Sequence, residues 1–231
     1  MANIFFKFVG VACIAAVQLS AALACDKDIY TKSLNAEQGA AALVKAQDSY
    51  RQVNGLSARF VQSSFLAALE TSEVSQGQVR YSRPGKMRWD YDYPRRETFL
   101  INGGDAWFYQ PELNQVMIDN LANMTSGDLP LLFLSGVGDL QSQFKLKEAC
   151  QGKSSTTLMM LPRKAGALGS VKLVFNNKSG LPEKFEIEDV SGNTNSITLS
   201  ELNASAAPAA EIFKLEIPKG TDIQDRRGDN E

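Results

Sequence analysis

From residue 56 onward the chain alternates apolar and polar residues in short runs broken by Gly, Pro, Asn and Asp, which is the period of half-buried β-strands. The alternation predicts strands at 56–65, 74–82, 86–91, 97–101, 106–109, 115–118, 143–149, 156–161, 171–175, 183–188, 196–202 and 214–217. Turns fall at Asn102-Gly103-Gly104-Asp105, at Pro111-Glu112-Leu113-Asn114, and at 176–180 and 191–193. Such strands at hairpin spacing, with no dividing linker, predict one antiparallel sheet, curled or closed. One earlier segment differs. Leu43, Ala46, Tyr50 and Val53 recur at helical spacing and Asn54-Gly55 ends the pattern, which predicts an amphipathic helix over 40–53.

Parity within the strands at 79–91 singles out an arginine. Val79, Tyr81 and Arg83 share one face, and beyond the Pro84-Gly85 turn so do Met87, Trp89 and Tyr91, while Lys86, Arg88 and Asp90 point the other way. A guanidinium on an apolar wall must find acceptors, because an unpaired buried charge is costly. One source of acceptors is residues 128–136, where Asp128, Pro130 and Gly136 bracket the apolar turn Leu131, Leu132, Phe133 and Leu134. This segment reads as a short helix. It is either core that plugs one end of the sheet or a movable apolar lid whose terminal carbonyls meet Arg83, and both readings turn the four apolar residues inward.

At the N-terminus, Lys7 precedes an apolar run that ends in Ala22-Leu23-Ala24, which predicts a secretory signal over residues 1–24 and a single domain over 25–231. No later segment is apolar enough to span a bilayer as a helix. Cleavage there leaves Cys25 and Cys150, and two fates are open. With soluble export into an oxidising periplasm they pair as a disulfide. Alternatively Cys25 is lipidated, although Ala22 stands where that modification favours a large aliphatic residue.

Composition excludes several chemistries. The chain has no histidine and no Cys-x-x-Cys, so histidine triads, histidine metal sites and dithiol redox motifs are absent, and no metal or cofactor is expected. Net charge is −2 with dispersed basic residues, which argues against nucleic acid as a partner. Gly136-Val137-Gly138 lacks the third glycine of a dinucleotide loop.

Taken in order, these features resemble a family. They are the signal, the first helix, Phe60-Val61-Gln62, Arg83-Pro84-Gly85 followed by Arg88-Trp89, Tyr91 and Pro94, then Asn102-Gly103 with Trp107 and Tyr109, and a terminal Phe213-x-Leu215-x-Ile217-Pro218-x-Gly220. The pattern is similar to that of the LolA family of periplasmic lipoprotein carriers. The resemblance implies an incomplete antiparallel β-barrel of about eleven strands around a helical lid, with Arg83 as the latch that bonds the lid when closed. It implies a monomeric, non-enzymatic chaperone that accepts acylated lipoproteins from an ATP-driven release complex in the inner membrane and hands them to an outer-membrane lipoprotein receptor. The acyl-chain cavity would be lined by Tyr50, Val53, Met87, Trp89, Phe99, Ile101, Met117, Leu131, Leu132, Phe133 and Leu134. The cysteine pair and the charged tail at 224–231 depart from the family pattern.

Two other classes stay in view. One is a lipid-anchored acceptor or envelope sensor of the same fold. The other is a periplasmic hydrolase working with two carboxylates, for which Asp90, Asp92, Asp105 and Asp119 are the candidates, all read as outward strand positions or turns.

Overall fold

The first helix begins where a polar box closes it rather than where its apolar stripe starts. In the computed structural model, which describes residue 25 and residues 31–121 and 140–228, α1 spans Ala36–Arg51. The Asn35 side chain accepts the Gln38 amide at 2.9 Å, and the Gln38 side chain accepts the Asn35 amide at 3.3 Å. The helix therefore starts four residues before the expected 40, because its first turn carries a cap but no apolar period. Leu43, Ala46 and Tyr50 form its buried stripe. Gly39 lets it approach the sheet: a Cβ there would lie 2.7 Å from Leu146 Cδ2 and 3.0 Å from Ala149 Cβ.

The strands are β1 Lys32–Ser33, β2 Gly55–Leu66, β3 Thr71–Ser82, β4 Lys86–Tyr93, β5 Glu97–Asn102, β6 Asp105–Gln110, β7 Gln115–Asn120, β8 Phe144–Gln151, β9 Ser155–Pro162, β10 Leu168–Asn176, β11 Pro182–Asp189, β12 Thr194–Asn203 and β13 Asp222–Asp225. They make one open sheet in the order β1-β8-β9-β10-β11-β12-β2-β3-β4-β5-β6-β7-β13, an incomplete barrel. Its pairings are antiparallel except that β13 lies parallel to β7. Eleven of the twelve expected strands are present. The exception is 214–217, which forms no ladder, and the last strand comes instead at 222–225, in the tail.

The sheet has an inner face, which carries the main core and, over β8 and β9, α1, and an outer face. Leu43, Tyr50, Phe60, Tyr81, Trp89, Leu158, Met160, Leu173 and Phe185 belong to the inner core. A separate buried group, Leu100, Val116, Ile118 and Phe213, lies outside that cluster. By register Leu100 and Ile118 flank Trp107 on the outer face of β5 to β7. Cys25 is disulfide-bonded to Cys150 on β8, with Cα atoms 5.4 Å apart, beside the edge pair Ser33 and Cys150. Among the described residues no helix is long and apolar enough to cross a membrane.

Candidate functional site

The inner face of β2 to β7 is assembled in rows that follow directly from strand register. One row runs Leu56, Tyr81, Met87, Ile101 and Ala106, and the next runs Ala58, Val79, Trp89, Phe99, Phe108 and Met117. Burial declines along the second row, from Val79 and Trp89 at 0% exposed to half-buried Phe99, Phe108 and Met117. Phe60 meets Trp89 edge-on at 4.6 Å and Tyr91 at 5.0 Å, and the Trp89 indole donates to Met87 Sδ at 2.8 Å. This wall offers contact area and few directional bonds.

At one end of the wall the α1 C-terminus is held by a single cation. Helix carbonyls in the last turn have no intrahelical donors and carry the negative end of the helix dipole. Arg83 Nε donates to Val53 O at 2.9 Å and Nη2 to Tyr50 O at 3.3 Å, while the Arg83 amide donates to Asn54 O at 2.8 Å. The guanidinium also sits 5.9 Å from the Tyr81 ring centroid, and Tyr81 stacks on Tyr50 at 5.9 Å. Burial raises the pKa of both phenols, against the opposing pull of the Arg83 charge, so both stay neutral.

Arg83 thus turns inward as parity requires, and its described partners belong to α1 and the residues that end it. Residues 128–136, with Leu131, Leu132, Phe133 and Leu134, lie outside the described residues, as does any contact they make with Arg83.

Farther along the strands the inner face becomes polar. Tyr91 donates to Gln62 Oε1 at 3.0 Å, and Gln62 Nε2 donates to Ser64 Oγ at 3.4 Å. Burial, with the Glu97 carboxylate adding to it, pushes the Tyr91 phenol up to about 12, so it remains a donor at neutral pH. Next to Ser64 on β12 stands Asn195.

The outer face is built differently. Asp90 receives Arg80 Nη1 at 2.8 Å, Arg88 Nε at 2.9 Å and Thr98 Oγ1 at 2.9 Å. Arg88 Nη1 also reaches Ile212 O at 3.0 Å and Lys214 O at 3.2 Å, and Asn102 Nδ2 donates to Phe213 O at 3.2 Å. These bonds fasten the segment around the turn Ala210–Phe213 across β4 and β5, with Phe213 buried beneath it. The alternation at 214–217 belongs to this extended strap, whose Leu215 and Ile217 are half-buried without a ladder partner.

The family description "Outer membrane lipoprotein carrier protein LolA" matches residues 51–216. The chain belongs to the LolA family. An outer-membrane lipoprotein carrier protein from Dechloromonas aromatica (strain RCB) is 30% identical over 184 residues, 80% of this chain and 88% of that protein. Its counterpart from Neisseria meningitidis serogroup B is 28% identical over 188 residues, 80% and 89% of the two chains. An uncharacterized conserved protein from Thermus thermophilus shares the fold, with a TM-score of 0.54 and 14% identity over 82% of this chain and all of that one.

Within this LolA fold the lining residues expected from sequence lie as follows. Tyr50, Val53, Met87, Trp89 and Ile101 are buried together in the inner core, and Phe99 and Met117 lie on the same face, half-buried. Three of the four candidate carboxylates are paired with arginines. Asp90 is engaged by two arginines, Asp92 lies 3.7 Å from Arg59, and Asp105 pairs with Arg227 at 2.8 Å. Asp119, read as outward, is opposite Ala106 and so belongs to the inner face. In the sequence Gln62 stands out only as part of Phe60-Val61-Gln62, and Ser64 and Asn195 are not singled out, although all three stand at inward parity positions.

Proposed function

We propose that this protein is a periplasmic carrier that covers the acyl chains of lipoproteins with its inner face and moves them from the inner to the outer membrane. The observation that carries the reading is the apolar wall around Trp89, with the end of α1 held beside it by Arg83. Membership of the LolA family supports it. So does the Cys25 disulfide, since a sulfur bonded to Cys150 is not free to form the thioether of a lipid anchor.

Binding follows from area. Each methylene removed from water contributes about 0.8 kcal/mol, so an acyl chain is held by many small contacts and no single strong one. Met87, Trp89 and Ile101 are fully buried, so a chain reaches them only when what covers them moves. The Arg83 bonds to Val53 and Tyr50 bias the empty protein toward closure. Acyl chains bias it toward opening, because they contact only the open face. Phe99 and Met117, half-buried at the far side of the row, are where a chain first meets the wall. An ATP-driven inner-membrane complex would supply the lipoprotein and an outer-membrane receptor would take it, with no catalytic step on this chain.

The test is direct. Purified protein and a triacylated lipoprotein are mixed in detergent, the detergent is removed, and the mixture is separated by size. A soluble equimolar complex is expected, and a lipoprotein that precipitates as it does alone would contradict the reading.

A further inference from the structure

The inner face of β11, β12 and β2 is apolar up to the polar stretch formed by Gln62, Ser64 and Asn195. A cross-strand row runs Met160, Val171, Ile187, Asn195 and Ser64, in which Met160, Val171 and Ile187 are buried. Asn195 is inward by parity with Ile197 and Leu199, both core residues. Its Oδ1 is buried and has no hydrogen-bond partner among the described residues. A buried acceptor without a donor is unfavourable enough that native proteins rarely leave one. Beside it, Gln62 Nε2 donates to Ser64 Oγ and Tyr91 donates to Gln62 Oε1, which leaves the Ser64 O–H able to donate to a ligand.

We propose that Asn195, with Ser64 and Gln62, is the subsite for the acylated N-terminal cysteine of the cargo, and that it recognises the amide through its N–H. The inference rests on the carrier reading and adds to it a basis for choosing cargo. An unpartnered carbonyl oxygen calls for a donor. The ester links of a diacylglycerol offer acceptors only, whereas the N-acyl amide of a lipoprotein cysteine presents an N–H to Asn195 Oδ1 and a carbonyl to the Ser64 hydroxyl. Strand rise places Ser64 about 30 Å along β2 from Gly55, at the opposite end from Arg83. A cargo anchored by its amide at this polar end directs its acyl chains along the strands toward Trp89 and Met87.

The experiment uses the purified full protein and three probes: a synthetic N-acyl, S-diacylglyceryl cysteinyl peptide, the same peptide N-methylated at the acyl amide, and phosphatidylglycerol. Affinities are read by displacement of an environment-sensitive apolar dye. Wild type is expected to bind the amide about tenfold more tightly than its N-methyl form, the effect of one hydrogen bond to an otherwise unpaired buried group. Asn195→Leu is expected to abolish that ratio while binding phosphatidylglycerol like wild type. Equal binding of the two peptides by wild type overturns the subsite and leaves the carrier reading intact. Failure to bind dye, peptide and phospholipid alike overturns both. The wild-type ratio decides the matter even where the leucine variant folds poorly, and Ser64→Ala gives a second check, with a reduced ratio expected and an unchanged ratio counting against the shared site.

Discussion

Strands β3 to β5 carry two closures on opposite faces, and they differ in kind. On the outer face Arg88 and Asn102 bond three carbonyls of the strap around Phe213, and Asp90 anchors Arg88 from below. On the inner face Val79, Trp89 and Ile101 are buried in an apolar core, and Arg83 bonds two carbonyls at the end of α1. A single residue step along β4, from Arg88 to Trp89, separates a closure made of directional charged bonds from one made of area. Directional bonds fix one partner in one geometry. Apolar contacts within the core are replaced by apolar contacts with an acyl chain at little net change, which is what exchange of cover for cargo requires.

Mutations that break the outer closure or the sheet edge are expected to lower stability without changing cargo exchange. The largest effect is expected from removing the disulfide. Its cysteines are 125 residues apart, and the chain-entropy relation gives about 4 to 5 kcal/mol for such a loop, read as a lower urea midpoint in the double Cys25→Ala, Cys150→Ala variant. Phe213→Ala comes next, at about 3 kcal/mol by the same measurement, because it opens a cavity under a strap still held by Arg88. Lipoprotein binding by the folded fraction should match wild type in both. A cargo defect in Phe213→Ala would mean that the two faces are coupled.

A pH series examines the polar end of the inner face. The Tyr91 pKa is raised from 10.0 to about 12, so the folded state holds its proton more tightly than the unfolded chain. The stabilisation is then fully present below pH 10 and lost as pH rises toward 12, amounting to about 2 to 3 kcal/mol at most. Tyr91→Phe should flatten the fall in urea midpoint across that window. Tyr50 and Tyr81 titrate in the same direction, so part of the fall should persist.

Much of this architecture was legible in the sequence because alternation reports the burial of each strand face. It identified eleven strands and set Arg83 on the side of Trp89. It misread 214–217 because an extended strap lying on a surface has the same alternation as a strand, and only ladder bonds distinguish them. It missed β13 because Asp222, Gln224 and Asp225 carry no apolar signal; backbone pairing to β7 and the Arg227 ion pairs with Asp105 and Asp225 fix this edge. The latch was half legible. Parity gave its direction, but its described partners are the carbonyls where α1 ends, brought beside it by the pairing of Gly55 with Ser82.

The central claim is that Arg83 holds the inner face closed and that closure drives release. Arg83→Leu keeps the site apolar, removes the donors and should cost only about 1 to 2 kcal/mol of global stability, the net value of hydrogen bonds at a partly exposed charge. The decisive measurement is lipoprotein transfer from the preloaded protein to acceptor membranes, run beside amide exchange of Leu43 to Gln52 in the empty protein. With the closed state weakened, the account predicts exchange in the last turn of α1 at least about tenfold faster, and slower transfer, because cargo competes with a poorer cover. Wild-type transfer with unchanged protection of those amides would contradict it.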